Sequence, residues 1–387
     1  MAAESIDSAE KKIKVLHFPM TNAYSGVAQY VLENWRFIDK RRFQFDFMTL
    51  SKTKLFFEDT VAEQGCKVHH ISCYAEENNE QFTKEVLEIM SEGYDIIQLH
   101  TSYWKSFLVE ELAREAGVPR IIIHSHNSSV LEGDHREERI AHHQQCVANL
   151  RETIATDYWA CSREAAKWLY GNSIPAERIV IQKNAIDIDR FRYNPDTAQR
   201  IRKEFGWNDC YVIGHVGRFS YQKNHAFLMR IFKAVHDRNS STRLLLVGIG
   251  PEREKVDRMI DELNLQDNVS ILERRNDVHE LLQAVDCFVL PSLFEGFPIV
   301  LTEAQATGCH CITSEAVIEE AILTKNAERL PLEENTWINR LKDLSEGKPG
   351  RQINNAEVLI EQGYDLKDQI KIIEKDYLDR NGATNGH

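Results

Sequence analysis

Two carboxylates, Glu295 and Glu303, stand with seven residues between them in the stretch Pro291-Ser-Leu-Phe-Glu295-Gly-Phe-Pro298-Ile-Val-Leu-Thr-Glu303-Ala-Gln-Ala-Thr-Gly308. The short apolar run Cys287-Phe-Val-Leu290 before them predicts a strand, and the residues after the turn predict a helix. Pro298 suits the first helical position, where its missing N–H is one that has no partner in any case. Gly296 lets the backbone come close to a ligand. The first amides of the helix point the same way and make a ready anion site. The stretch therefore offers bare amides for a phosphate and carboxylates for hydroxyl groups, and a nucleotide sugar carries both.

A second stretch could act on the same ligand. Gly217-Arg218-Phe-Ser-Tyr-Gln-Lys223 places two cations five residues apart at a strand-to-helix turn. Arginine can grip a phosphate with two N–H groups, and lysine adds a point charge. Gly248-Ile-Gly250-Pro251 is explained by tight packing between a strand and a helix. No Gly-x-Gly-x-x-Gly follows the first strand and no Gly-x-x-x-x-Gly-Lys-Ser/Thr occurs, which disfavours a nicotinamide enzyme and a P-loop protein. His124-Ser-His126-Asn127 ends a strand, with Asp134, His135, His142 and His143 near in sequence. A metal needs a third ligand at a fixed place, and the sequence supplies none. The expectation is no metal, with His126 facing a hydroxyl or a phosphate. Asp187-Ile-Asp189 reads as a turn with side-chain to backbone bonds. The basic clusters Lys11-Lys12, Lys14 and Lys40-Arg41-Arg42, with Tyr103-Trp104-Lys105, read as solvated surface, with a membrane-facing side as the alternative.

The elements that must position these groups alternate. Strands are predicted at Ile13–Phe18, Phe45–Leu50, Lys67–Ser72, Asp95–His100, Arg120–Ser125, Tyr158–Ser162 and Arg178–Lys183, with helices between. The alternation restarts with Tyr211–Gly217, Arg243–Gly248, Val269–Glu273, Cys287–Leu290 and His310–Thr313. This pattern implies an α/β chain with two doubly wound, Rossmann-like domains whose strand ends face a shared cleft. The expected division is a disordered leader 1–12, a first domain 13–184, a linker 185–195, a second domain 196–363, a charged helix 364–380 and a tail 381–387. A length of 387 residues suits two such cores. The net charge of −13 argues against a general nucleic-acid binder, because such affinity rests on neutralising phosphates. No apolar run reaches membrane-spanning length, and the polar start does not read as a signal peptide. The eight cysteines, without a Cys-x-x-Cys pair, read as free thiols in a reducing cytosol.

Taken in order, Gly217-Arg218…Lys223, Gly248-x-Gly250-Pro251, Asp286–Ser292 and Glu295-Gly-Phe…Glu303-Ala…Gly308 resemble the retaining GT-B glycosyltransferases of group 1, also called family 4. Ser25-Gly26-Val-Ala and Ile-His-Ser-His126-Asn resemble the bacterial capsule and exopolysaccharide members. The resemblance implies a GT-B fold whose last helix crosses back to the first domain. It implies transfer of a sugar from a UDP- or GDP-linked donor to a glycan or lipid-linked acceptor. In that scheme Arg218 and Lys223 hold the donor diphosphate, beside Gly217. Glu295 bonds the transferred sugar and Glu303 the ribose. The turn Gly296-Phe297-Pro298 and the amides of Phe297, Ile299 and Val300 help bind phosphate. Gly26 lets a first-domain loop approach the donor, and His126 contacts the sugar. The cations and the helix terminus supply the neutralisation that a metal would otherwise give, so no cofactor and no obligatory metal are expected. The implied setting is cytoplasmic, with peripheral contact at the inner membrane face. Two departures stand out: Ser25 replaces the first of the usual two glycines, and Glu315-Ala-Val-Ile-Glu-Glu320 lacks the usual glycines. The competing readings are a sugar-nucleotide epimerase on the same fold and a non-catalytic nucleotide-sugar-binding partner. Domain closure is expected to hinge at 184–195 and near 363–366.

Overall fold

The structure is a computed structural model that describes residues 11–22, 26–130, 135–273 and 275–381. Most of the expected leader, the expected tail beyond 381, Ser25 and Asp134 lie outside the described residues.

Runs of valine, isoleucine and phenylalanine, buried on both faces, form two all-parallel sheets. The first contains β1 (Ile13–Met20), β2 (Phe43–Thr49), β3 (Val68–His70), β4 (Ile96–Thr101), β5 (Arg120–Ser125), β6 (Asp157–Ala160) and β7 (Ile179–Ile181). Their order is β3-β2-β1-β4-β5-β6-β7. The second contains β8 (Tyr211–Val216), β9 (Thr242–Val247), β10 (Val269–Leu272), β11 (Cys287–Leu290), β12 (His310–Ser314) and β13 (Ala327–Leu330), in the order β10-β9-β8-β11-β12-β13. Strand order reverses between β1 and β4 and again between β8 and β11. Crevices open at the carboxyl ends of strands at such switch points. Two doubly wound domains are thus present as the sequence implies. β13 has no counterpart in the sequence reading, because Ala-Glu-Arg-Leu carries too little apolar character to register as a strand.

Two backbone crossings join the domains. The first runs through 185–195 and contains the short helix Ile188–Phe191, which the sequence reading treated as irregular. The helix Pro195–Glu204 follows, capped by the Asn194 side chain, which accepts from Thr197 N at 3.0 Å. At the second crossing Ile186 N donates to Tyr364 O at 3.0 Å and Leu366 N donates to Ile186 O at 2.9 Å, so the two connections pair with each other. Asp189 and Asp187 do not form the expected side-chain to backbone turn. Asp189 pairs instead with Arg192 at 3.0 Å and with Lys367, because the start of the last helix passes beside it.

That last helix, Leu366–Asn381, packs on the first domain as expected. Tyr377 is buried there, stacks on Trp159 with centroids 5.9 Å apart, and donates its hydroxyl to Gln98 Oε1 at 2.6 Å. Arg120 lies between Asp157, at 2.9 and 3.1 Å, and Asp376 of the helix. All eight cysteines are free.

Candidate functional site

At the switch point of the second domain, the loop after β8 and the loop after β11 are tied together. Leu293 N donates to Gln222 O at 2.8 Å, and Gln222 Nε2 returns a bond to Phe294 O at 2.9 Å. This brings Lys223 onto Glu295: Nζ to Oε1 is 2.7 Å. Ser292 Oγ donates to the same oxygen at 2.7 Å, and Gln222 Nε2 reaches the other at 3.2 Å. Glu295 is 7% exposed, so the pair is largely out of water. Asn224, with φ 55°, makes the left-handed step that turns the chain from Lys223 into the helix His225–Arg238. Arg218 sits one residue past Gly217 with an exposed side chain and no ion pair to the described residues.

The turn after β11 departs from the sequence reading in two ways. Pro298 is the residue before the helix Ile299–Ala306, with ψ 108°, rather than its first member. Gly296 also faces protein, where the sequence suggested a ligand. A Cβ there would lie 2.5 Å from the His126 carbonyl oxygen of the first domain. The glycine is required because the two domains meet at this point. Three bonds seal the meeting: Ser128 Oγ donates to Glu295 O at 2.7 Å, Ser162 Oγ to Gly296 O at 3.2 Å, and Asn184 Nδ2 to Phe297 O at 3.0 Å. The Phe297 ring is committed to packing on Tyr364, with centroids 5.4 Å apart. Ile299 is buried and Val300 half-buried at the head of the helix.

Other glycines sort cleanly. Gly217 lies under Lys223, whose Cε would be 3.2 Å from an added Cβ. Gly248 and Gly250 press on the backbone of Gly217 and Phe219, with added Cβ atoms 2.0 and 2.2 Å from carbonyl oxygens, so they are explained by close packing, but against the loop after β8 rather than between a strand and a helix. Gly26 opens the helix Gly26–Phe37, exposed, with open space where a side chain would be.

Glu303 projects from the helix Ile299–Ala306 toward the first domain, where Gln29 Nε2 donates to its Oε1 at 2.5 Å. It is 5% exposed. Burial pushes its carboxyl up to about 7; Glu33 adds to the rise, while the Gln29 bond and Arg190 oppose it. The two carboxylates of the motif therefore have different partners, Glu295 within its own domain and Glu303 across the cleft.

His126 lies half-buried just past β5 and belongs to a cluster at the first domain's switch point. Its Nε2 is 2.9 Å from His100 Nδ1 on β4, and His100 Nε2 is 3.1 Å from His17 Nδ1 on β1. His124 Nδ1 is 3.1 Å from Gln98 Nε2. Burial holds His126 and His17 down to about 3 and His100 and His124 well below the usual imidazole range, so all four are neutral. His100 is the third nitrogen that the sequence could not supply: ligand atoms of His100, His124 and His126 lie within 4.8 Å of one another. The contacts of 2.9 and 3.1 Å are those of imidazoles bonded to each other. His142 and His143, close in sequence, serve elsewhere, on Lys105 O and between Trp104 N and Trp168 O.

Several basic side chains of the suspected membrane face are engaged. Arg41 pairs with Asp39 at 2.8 Å, Lys14 donates to Glu92 O at 2.8 Å, and Lys40 lies over the Trp35 ring. Among the described residues no helix is long and apolar enough to cross a membrane.

Gln29, Ser128, Ser162, Asn184, Gln222, Ser292, His17 and His100 were not found from sequence. Gln222 and Ser292 stand inside the motif stretches, beside Lys223 and three residues before Glu295, and Gln29 lies one helical turn after Gly26; the others carried no local signal.

The chain has known relatives. The family described as "Glycosyl transferases group 1" matches residues 197–365, and "Glycosyl transferase 4-like domain" matches 25–185. A Bacillus subtilis (strain 168) protein with the name "Putative glycosyltransferase EpsF" is 30% identical over 377 residues, covering 94% of this chain and 96% of its own. An Escherichia coli protein named UDP-Gal:alpha-D-GlcNAc-diphosphoundecaprenol alpha-1,3-galactosyltransferase is 24% identical, covering 96% of this chain and 98% of its own. The crystal structure of Anabaena Alr3699/HepE in complex with UDP and glucose superposes with a TM-score of 0.77 at 18% identity, covering 95% of this chain and 99% of that one. The chain folds as a GT-B protein and belongs to the group 1, family 4-like glycosyltransferases.

Proposed function

We propose that the protein moves a sugar from a uridine- or guanosine-diphosphate sugar to a glycan or lipid-linked acceptor, with retention at the anomeric carbon and without an obligatory metal. The observation that carries this reading is the buried Lys223–Glu295 pair, beside exposed Arg218 and at the head of the helix that bears Glu303. Breaking the bond from the anomeric carbon to a diphosphate leaves a cationic sugar and an anionic leaving group. Arg218, Lys223 and the amides of Phe297, Ile299 and Val300 neutralise the leaving group. Glu295, fixed by three donors, accepts from hydroxyls of the sugar, and Glu303 accepts from the ribose. A carboxylate bonded to Lys223, Ser292 and Gln222 is a poor nucleophile, which supports a front-face route over a covalent one. In that route the bond from anomeric carbon to phosphate oxygen breaks as the acceptor oxygen bonds to the same face. The acceptor proton passes to the departing phosphate, and the nucleoside diphosphate leaves. The relatives named for UDP-linked donors and diphosphoundecaprenol-linked acceptors support the substrate classes. A lipid-linked acceptor would place the protein at the cytoplasmic face of a membrane, in surface polysaccharide synthesis.

A panel of UDP- and GDP-sugars in EDTA, read by thermal shift and released nucleoside diphosphate, tests this. One donor should stabilise the fold and hydrolyse slowly. Conversion of donor to an isomeric donor would mark an epimerase, and binding without hydrolysis or transfer would mark a non-catalytic binder. A protein that binds no nucleotide sugar would refute the reading.

A further inference from the structure

His17 on β1, His100 on β4 and His126 just past the end of β5 meet through their ring nitrogens, in series, at 3.1 and 2.9 Å. All are neutral, and a neutral imidazole has one N–H and one lone pair. A series of three rings with two links uses two N–H groups, and each middle contact must run the same way. If His17 donates to His100, then His100 must donate to His126. The third N–H is then forced to one end of the series: His126 Nδ1 or His17 Nε2.

The two ends differ. His17 is 2% exposed, and its Nε2 has no polar partner. Its ring lies against Phe45 and Phe47, with centroids 4.3 and 6.1 Å away. An N–H left there has no oxygen or nitrogen to reach, and stranding a buried donor costs about 1–3 kcal/mol. The other end, His126, is half-buried at the cleft, two residues before Ser128, which bonds to Glu295 O. An N–H at that end meets solvent or a sugar oxygen.

Tyr377 gives its hydroxyl proton to Gln98 Oε1, so the Gln98 amide nitrogen faces His124 Nδ1 and donates to it. His124 then carries its own proton on Nε2, which is buried without a polar partner, so a second stranded N–H at His17 would add to a cost already present at this cluster. The His124 ring lies alongside His126, with centroids 4.0 Å apart and the planes 39° apart, while Tyr30 closes edge-on to His100, His124 and His126. These contacts hold the His126 ring in one orientation and leave Nε2 to His100.

We propose that His17 and His100 are positioning residues that hold His126 as the single tautomer with its proton on Nδ1, aimed into the cleft as a hydrogen-bond donor to a hydroxyl oxygen of the donor sugar. The sugar as recipient rests on the proposed function; the relay and its direction do not. The Nδ1–H form is the less common tautomer of a free neutral imidazole, so the relay leaves a signature that ordinary packing would not.

Long-range nitrogen–proton correlation spectra of the full chain, labelled with ¹⁵N-histidine and assigned with the His126→Gln variant, read the tautomer without any substrate. The expected result is His126 protonated on Nδ1 from pH 6 to 8. In His100→Phe the His126 signals should move to the Nε2–H pattern or to an averaged one. Donor turnover should fall about tenfold with UDP or GDP affinity unchanged, as expected for one lost hydrogen bond to the reacting sugar. His100→Gln, which presents both an N–H and a carbonyl oxygen, should recover most of the rate. An Nε2-protonated His126 in the unsubstituted protein overturns the proposal, whether or not the variants fold. So does an unaltered His126 tautomer in folded His100→Phe. If no nucleotide sugar binds at all, the sugar as recipient fails with the proposed function, while the spectra still decide the relay.

Discussion

Glu303→Gln is the substitution whose effect the structure sets most tightly. The wild-type carboxyl is 5% exposed, is bonded by Gln29, and is pushed by burial from 4.5 up to about 7. A folded-state value above the unfolded one means that protonated Glu303 favours the fold. That contribution is complete below pH 4.5 and is lost as pH rises through about 7. The interval corresponds to about 3 kcal/mol. Glutamine keeps a side chain of the same size and an oxygen for Gln29, and it cannot ionise. The variant should therefore match the wild type only below pH 4.5, draw ahead of it as pH rises, and exceed it by up to about 3 kcal/mol at pH 8 in urea unfolding. Nucleotide binding should move the opposite way. A ribose bonded by carboxylate needs the ionised form, so wild-type affinity for UDP or GDP should rise about tenfold from pH 6 to pH 8, with a proton released on binding near pH 6. Titration calorimetry in buffers of different ionisation enthalpy measures both quantities. In Glu303→Gln the pH dependence should vanish and the affinity should drop about tenfold or more through loss of a charge-assisted bond. Parallel stability curves for the two proteins from pH 5 to 8 would refute the buried-acid argument. Equal nucleotide affinity would refute the ribose assignment.

Lys223→Met leaves Glu295 buried without its cation and should lower stability by about 3–5 kcal/mol, while adding Glu295→Gln should recover much of that; equal losses for the single and double variants in urea unfolding would contradict the pairing. Gly296→Ala sets a Cβ 2.5 Å from the His126 carbonyl oxygen, so the domains should separate, seen as a larger radius of gyration in X-ray scattering and a fall in turnover; an unchanged radius would place the domain contact elsewhere. Tyr377→Phe removes the bond to Gln98 and should cost about 1 kcal/mol in urea unfolding, with the last helix still docked through Arg120 and Asp376; a loss several times larger would mean that the hydroxyl holds more than one partner.

The two-domain architecture was legible because buried parallel strands announce themselves as uninterrupted apolar runs. Arg120–Ser125 and Cys287–Leu290 were located to the residue. β13, the helix Asn355–Glu361 and the short linker helix were not, since they are short and bury few apolar residues; the helix Glu334–Gly347 was also passed over, although Trp337, Ile338, Leu341 and Leu344 form a buried stripe at helical spacing. The Glu295–Glu303 motif was legible as a local object: a turn, a helix and two acids. Its partners were not. Gln29 meets Glu303 across 274 positions of sequence, and His17 meets His100 across 83. The first pair is created by the apposition of the two domains and the second by strand order, and no local spacing encodes either. The glycine of the motif was noticed for the right geometric property, tolerance of close approach, but what approaches it is the carbonyl of His126.

The pairing of Ile186 with Tyr364 and Leu366 has a kinematic consequence. A body on a single tether can rotate about three axes, and reclosing it is a search through orientations. Two tethers, bonded side by side, leave essentially one axis of swing. An opening of the cleft would then retrace the same arc and return Ser128, Ser162 and Gln29 to Glu295, Gly296 and Glu303 in register. Severing one tether while leaving the other intact would keep both domains folded and joined, yet turn a guided stroke into a diffusive hunt.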